Sequence, residues 1–474
     1  MTQISINDLI STGALTIVAL ASLAALVADA VGRRSALTFV LSAAGLMAGG
    51  LVAAGGMWSS GLAYAGMVNS GGYADFCAVI FCIAGLFTLM LSHSYLSTRG
   101  IETGEYYVLV LLSVTGMMMM AAAADLIVLF LGLELMSVSF YVLAGYTRKS
   151  LISNESALKY FLLGAFATGF LLYGISLAYA ATGTTNIATQ IAFVTEGRAD
   201  TLFLIGLALM MIGFVFKIAA VPFHMWVPDV YEGAPTTVTA LMSTGGKAAA
   251  FSAFLVVFAP ALVGSVGEIR EIIAVLAALS MVVGNVMAVS QTSVKRMLAY
   301  SSIAHAGYIT TGLVAGNAFG SSGVLFYLLA YTVMNIGAFG VLSMVESSSG
   351  GNLSYDDYVG FAARNPLLAG LLALFMFSLT GIPPFAGFLA KYYVFAGAVS
   401  AGYTWLAIVG VIMSIVSAYY YLRLVVFMYF KDRDSVIQPA TSGLAVVALL
   451  CSALIVISLG LYPDPVVNLT STFF

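Results

Sequence analysis

Charge is what this chain has least of. Only 8% of its 474 residues are Asp, Glu, Lys or Arg, while 61% are hydrophobic. A soluble domain carries about 25% charged residues, so water is not the solvent for most of this surface. Cysteine is scarce too: Cys77, Cys82 and Cys451 fall into no metal spacing and no evident disulfide pair, which leaves no ligand set for an iron–sulfur centre. The net charge of −3 supplies no basic field for nucleic acid. No phosphate-binding glycine loop occurs. The longest polar stretches, 182–200 and 346–365, are too short to fold alone, so chemistry on a soluble substrate belongs to other chains. The three tryptophans, Trp58, Trp226 and Trp405, read as packing or interface residues.

What is abundant is apolar length. The 48 Gly, 30 Phe, 25 Tyr and 22 Met suit helices packed in lipid. About 20 residues cross about 30 Å of hydrocarbon. On that measure spans are expected near 10–28, 36–55, 76–94, 106–123, 125–146, 157–181, 201–229, 236–260, 271–290, 297–315, 323–345, 366–398, 403–429 and 441–461. The fold class is therefore an all-α polytopic membrane protein of about fourteen helices. The first span has no basic leader, because Arg33 and Arg34 follow it, and reads as a retained helix.

Positive charge tests the register. Arg33, Arg34, Arg99, Arg148, Lys149, Lys295, Arg296, Arg364, Lys431 and Arg433 fall in alternate loops, and only Arg198 and Arg270 fall on the opposite side. That bias is the positive-inside pattern, and it turns both termini away from the cytoplasm.

Two spans are too long and contain proline. Lys217 to His224 encloses Pro222, and Ser378 to Gly387 encloses Pro383 and Pro384. Proline removes a backbone donor and clashes with the preceding turn, so helices 7 and 12 are expected to be discontinuous. Backbone freed in hydrocarbon must be buried in protein or face a polar cavity. Weak similarity upstream of each break, Lys159–Gly164 and Phe326–Tyr331, suggests a repeat. Helices 4–8 and 9–13 then form two five-helix units. An odd number of crossings inverts the second, which is a transporter arrangement. The chain divides accordingly into 1–105, 106–260, 261–430 and a C-terminal helix in 431–474.

Ionisable side chains fall inside these spans. Glu134 lies nine residues past Asp125, about 14 Å along the axis. Lys247 is similarly deep, and Lys217 and Lys391 flank the two breaks. A lone charge there costs several kcal/mol or is neutralised, so each needs protein or water around it. Burial disfavours a charged form and an opposite charge restores it, which makes such groups exchangeable proton carriers. The expected arrangement pairs Glu134 with Lys217, passes protons through Lys247 and releases them at Lys391. Lys159, which has the alternative of snorkelling, His224 and His305 are further candidates. Lys295 reads more simply as a loop charge.

The runs Phe130–Ser137, KIAAVPFHMWVPDVYEGAP (217–235) and Val294–His305 also resemble the antiporter-like subunits of respiratory complex I, with similarity along essentially the whole chain. The resemblance implies a fourteen-helix subunit with inverted repeats that moves protons along a mid-membrane axis. Glu134 matches the family glutamate of helix 5, Lys217 the lysine of helix 7, Lys247 that of helix 8, Lys391 that of helix 12 and Lys159 one on helix 6. Lysine at 391 and modest length favour the smallest of the three antiporter-like types. The resemblance also implies a bacterial inner-membrane location and a neighbourhood of lipid and other membrane subunits, homologous ones included. It puts NADH, flavin, iron–sulfur clusters and quinone in partner subunits and no cofactor in this chain. Similar subunits serve sodium/proton antiporters, membrane-bound hydrogenases and ferredoxin-linked photosynthetic complexes.

Overall fold

The computed structural model describes residues 5–32, 35–264, 267–349, 354–431 and 438–474. Of the loop charges, Arg33, Arg34 and Arg433 lie outside the described residues.

The N-terminal part comprises the short α1 (Ile6–Ser11), α2 (Gly13–Gly32) and α3 (Ser35–Gly56), the strands β1 (Ser60–Ala63) and β2 (Val68–Gly71), and α4 (Gly72–Thr98). The middle holds α5 (Gly104–Ala122), α6 (Leu126–Ala144), α7 (Leu151–Thr182), α8 (Ile187–Thr195), α9 (Thr201–Ile218), α10 (Trp226–Gly233), α11 (Thr236–Leu241) and α12 (Lys247–Gly264). Then follow α13 (Gly267–Val289), α14 (Val294–Ala315), α15 (Ala318–Ser349), α16 (Phe361–Arg364), α17 (Pro366–Thr380), α18 (Ala386–Ser400), α19 (Thr404–Phe430), α20 (Gly443–Leu461) and α21 (Asp464–Ser471).

Among the described residues, 12 helices are long and apolar enough to cross a membrane. Two expected spans lie outside that set for identifiable reasons. Helix α14 has 22 residues but carries Lys295, Arg296, His305 and several hydroxyls, and it is covered by protein. The span expected at 366–398 is split into α17 and α18, each 15 residues long.

The all-α bundle carries one small β element. Strands β1 and β2 form an antiparallel hairpin in a glycine-rich segment between α3 and α4. Asp8 of α1 accepts the backbone N–H groups of Tyr64 and Ser5, and these bonds hold its carboxyl below the usual range. The stretch 182–200 is not all loop either. Ile187, Gln190 and Val194 give α8 a buried face at helical spacing, and Asn186 caps it by accepting the N–H of Thr189 at 3.0 Å.

Two elements organise the bundle. Helix α15 is buried along its length and packs on α4, α11, α14, α17, α18 and α20. The other is close helix contact through small residues. A Cβ on Gly174 would lie 2.5 Å from the carbonyl of Gly206, so α7 and α9 approach backbone to backbone there. By contrast α2, α3 and α19 turn Leu20, Leu23, Val40, Ile412 and Ile415 outward, as helices on a lipid-facing rim do.

Candidate functional site

Both expected breaks are present, and both are closed by the same backbone pattern. At the first, Ala219 adopts φ 63°, the N–H of Ala220 reaches the carbonyl of Val215 at 3.0 Å, and that of Ala219 reaches Phe216 at 3.1 Å. At the second, Gly381 adopts φ 90°, the N–H of Ile382 reaches Phe377 at 3.1 Å, and that of Gly381 reaches Ser378 at 3.0 Å. A left-handed residue with a six-to-one bond is the Schellman way of ending a helix. The residues after it hold a cis proline peptide in each case, Val221–Pro222 and Pro383–Pro384.

Lys217 sits in the last turn before the first break and is buried. Its Nζ donates to Ser137 Oγ at 2.7 Å and approaches Tyr141 Oη at 3.4 Å. The rings of Tyr141 and Tyr160 lie 5.5 and 5.7 Å away, within cation–π range. Glu134, Ser137 and Tyr141 occupy one face of α6, at i, i+3 and i+7. The carboxylate expected to pair with Lys217 therefore belongs to the same stripe, but the lysine engages the hydroxyls beyond it. Among the described residues Glu134 forms no ion pair within 4.0 Å, and its Oε1 is buried with no hydrogen-bond partner. Glu134 and Lys217 therefore act on each other through space, as charges on facing helices, without a contact within 4.0 Å. Sequence spacing fixes a shared helix face but not the reach of a side chain from another helix.

Lys247 follows a π-helical turn, Met242–Gly246, a feature with no sequence warning. Its Nζ donates to both the carbonyl and the hydroxyl of Ser302. One turn further along α14 is His305, wholly buried. Its Nδ1 meets Tyr327 Oη at 2.7 Å and its Nε2 meets Tyr421 Oη at 3.1 Å. Tyr421 in turn bonds Ser301. Beyond His305 lies Tyr308, whose ring is 4.8 Å from Lys391 Nζ. Lys391 is buried, and its Nζ donates to the carbonyl of Thr380 at 2.8 Å and to Ser414 Oγ at 2.7 Å. Thr380 ends α17, so the amine faces the negative end of a half-helix. One wall of Lys391 borders a groove of about 760 Å³ between α18 and α19, lined largely by apolar residues such as Phe388, Phe395 and Val411.

Lys247, His305 and Lys391 thus share one run of hydroxyls and rings along α14. An aromatic row links the Lys217 end to the same region: Tyr141 and Tyr160 have centroids 4.8 Å apart, Tyr160 and Trp226 4.6 Å, and Trp226 and Tyr231 6.1 Å. None of Lys217, Lys247 and Lys391 has a carboxylate within 4.0 Å among the described residues.

The remaining candidates lie elsewhere. Lys159 is half exposed and paired to Glu155 at 2.7 Å and Asp229 at 3.0 Å. Arg296 joins Asp229 and Glu232 at 3.0 and 2.8 Å, so a charge cluster ties α10 to α7 and α14. His224 sits in the first break between the exposed Phe223 and Met225, apart from the lysine run, with Nδ1 unpartnered. Lys295 is corrected from a loop charge to a buried one. Its Nζ lies 3.5 Å from Glu346 and donates to the carbonyl of Ala234 at 2.7 Å. Glu346, absent from the sequence-level candidates, also pairs with Arg99 at 3.3 Å. A glutamate near the end of a 32-residue helix was the one available signal.

Comparisons with known proteins place this geometry in context. A family model described as "NADH:quinone oxidoreductase/Mrp antiporter, TM" matches residues 123–417. A protein named NADH-quinone oxidoreductase subunit N from Trichlorobacter lovleyi is 50% identical over 396 residues, 83% of this chain and 81% of its own. Its namesake subunit N 1 from Chloroherpeton thalassium is 50% identical over 413 residues, 85% of each chain. Among solved structures, a chain of respiratory complex I from Thermus thermophilus with bound aureothin superposes with a TM-score of 0.85 at 34% identity, covering 97% of this chain and 99% of that one. A chain of the Mrp complex from Dietzia has a TM-score of 0.85 at 22% identity, covering 98% and 96%, and shares the fold. With its matched residues spanning both broken helices and Lys217, Lys247 and Lys391, the chain belongs to the transmembrane family of NADH:quinone oxidoreductase and Mrp antiporter subunits.

Proposed function

We propose that this chain is a proton-translocating membrane subunit of a bacterial NADH:quinone oxidoreductase, of the subunit N type. The observation that carries the reading is the set of buried lysines Lys217, Lys247 and Lys391, each held by neutral oxygens. An ammonium whose contacts are neutral oxygens is not locked to a touching anion that would retain its proton. A rotation that brings Glu134 toward Lys217 favours the charged amine, and its retreat releases the proton toward the run of Lys247, His305 and Lys391. Glu134 is the coupling group, Lys217 the first carrier, Lys247 the link and Lys391 the exit. His305 relays between the last two, through the tyrosine hydroxyls on both its nitrogens. Lys159 and His224 take supporting roles, the first through its cluster with Asp229 and the second at the break.

The finer architecture follows the same reading. Residues 106–260 and 261–430 act as two inverted five-helix units, each containing one broken helix, after an N-terminal segment 1–105 and before the C-terminal helix region 431–474. The chain spans the inner membrane with both termini on the outer side. Electron transfer from NADH through flavin and iron–sulfur clusters to quinone proceeds in partner subunits, and this chain binds none of those groups itself. The test is proton uptake by inverted membrane vesicles carrying the assembled complex, expressed per quinone reduced. Lys217→Arg keeps the charge but raises proton affinity beyond reach of exchange, so uptake falls. Full uptake in that variant, with assembly intact, would falsify the carrier role.

A further inference from the structure

A polar cavity of about 240 Å³ lies at the end of the bundle that carries Arg99, Arg148, Lys149 and Arg296. Its lining includes Tyr95, Arg99, Thr147, Glu232, Ala234 and Glu346. Ile152 at its rim is 59% exposed, so the cavity reaches the surface. At its inner end Glu346 is buried between three groups. Arg99 lies at 3.3 Å, Lys295 at 3.5 Å, and the Tyr95 hydroxyl donates to it at 3.4 Å. One carboxylate faced by two cations is an expensive arrangement to bury, and the lysine run has no contact with it.

Three elements carry polar residues inward from that point. On α4, Thr88, Ser92, Tyr95 and Arg99 share a face at helical spacing. Tyr95 meets the Thr236 backbone, and Tyr106 Oη bonds Ser92 at 2.7 Å and Thr237 at 2.9 Å. From α11 into α12, Thr236, Ser243 and Lys247 lie on one side, about 16 Å from first to last. On α15, Asn335 donates to Ser243 Oγ at 2.9 Å and to Tyr331 Oη at 3.1 Å. The hydroxyls of Thr236 and Thr332 and Oδ1 of Asn335 are buried with no protein partner, and buried polar atoms of this kind are bridged by water. Between Glu346 and Asn335 the same face of α15 carries Ser343, Leu342 and Phe339, so the polar line keeps to the α4 and α11 side there.

We propose that this cavity is the proton entrance from the positively charged face, and that Glu346 is the first group to accept the proton on its way to Lys247. A hydronium ion in the cavity gives its proton to the Glu346 carboxylate and remains as water. Neutralised Glu346 loosens its hold on Lys295 and Arg99. The proton then moves along water and the hydroxyls of Tyr95, Thr236 and Ser243 to the Lys247 amine. This assignment rests on the proton-transfer reading and adds where the proton comes from.

The experiment uses the assembled complex in inverted vesicles, with proton uptake measured per quinone reduced. Glu346→Gln keeps the size and the hydrogen bonds but cannot take a proton, and uptake is expected to fall at least threefold, with Glu346→Asp restoring part of it. Ile152→Cys, a rim position outside the charge cluster, tests access without touching Glu346. A membrane-impermeant cationic thiosulfonate is expected to label the introduced thiol in inverted but not right-side-out vesicles and to lower uptake at least threefold, with the unsubstituted chain as control. Full uptake in Glu346→Gln and in labelled Ile152→Cys overturns the entrance. Lys217→Met separates the two claims: if that variant also pumps fully, the proton-transfer reading itself falls. If it is silent while the other two pump fully, only the entrance falls.

Discussion

The two broken helices end their first halves alike and hold their lysines differently. Both close with a left-handed residue and a six-to-one bond. Lys217, however, precedes its break and leans away to the hydroxyls of α6, whereas Lys391 follows its break and reaches back to the carbonyl of Thr380 that the break exposes. The backbone device creates a polar spot in each half of the molecule. What occupies that spot differs. In the first half the amine responds to another helix that carries Glu134, and in the second it is held by its own broken helix and by Ser414. On the proposed reading, an amine facing a helix that carries a carboxylate suits a coupling point, and one fixed by backbone suits an exit.

Removing the amines is the largest break in this comparison. Lys217→Met and Lys391→Met are each expected to lower proton uptake at least about tenfold, which needs only about 1.4 kcal/mol on the limiting step. They should differ in one respect. A second change, Glu134→Gln, should add little to Lys217→Met but should lower uptake further in any Lys391 variant that retains residual activity. Uptake in the double variants of assembled complex checks this, and additivity with Lys217 would separate Glu134 from that lysine.

Glycine at the second break is the next test. A Cβ on Gly381 would lie 3.1 Å from Lys391 Cδ and 3.4 Å from its Nζ, on a backbone of φ 90°. Gly381→Ala should therefore both strain the turn, by about 1–2 kcal/mol, and push Lys391 off Thr380. Several-fold loss of uptake is expected, with a lowered melting temperature. A loss of stability with uptake unchanged would show that the Thr380 contact does not position the exit.

Hydroxyl partners give a finer contrast. Ser137 is the one short contact of Lys217, since Tyr141 stands off at 3.4 Å, while Lys391 keeps Thr380 when Ser414 is removed. A hydrogen bond to a charged group contributes about 1.5–3 kcal/mol. Ser137→Ala is expected to slow uptake several-fold and Ser414→Ala less than twofold. Equal effects would erase the distinction drawn between the two lysines.

Much of this contrast was legible in the sequence, for definite reasons. Apolar length against bilayer thickness placed most spans within a few residues, since lipid allows little other than helix. Proline in over-long spans located both breaks. Chemistry across helices was not legible. Ser137, Ser302, Ser414 and Thr380 are ordinary residues until packing turns them toward an amine, and a helix face says nothing about which of its polar atoms a lysine from a neighbouring helix reaches. Glu346 and Lys295 are hidden from a sequence reading because charge near a span end reads as loop. The β hairpin and the π turn at Met242–Gly246 had no periodic signal to give them away.

The smallest effect is expected where the two breaks differ in residue type. The first uses Ala219 at φ 63°, a conformation that costs an L residue about 1–2 kcal/mol, where the second uses glycine. Ala219→Gly removes that cost and adds about 0.5–1 kcal/mol of chain entropy to the unfolded state. The two partly cancel, so stability should rise by no more than about 1.5 kcal/mol. Uptake should stay at the wild-type level, because Lys217 is held by Ser137 and the six-to-one bond at Ala220 needs only backbone. Thermal unfolding and vesicle uptake on the same preparation measure both. If Ala219→Gly abolished uptake while leaving the melting temperature unchanged, the stiffness of the first break, and not the polar spot it exposes, would be what Lys217 depends on, and the shared ending of the two helices would conceal two different machines.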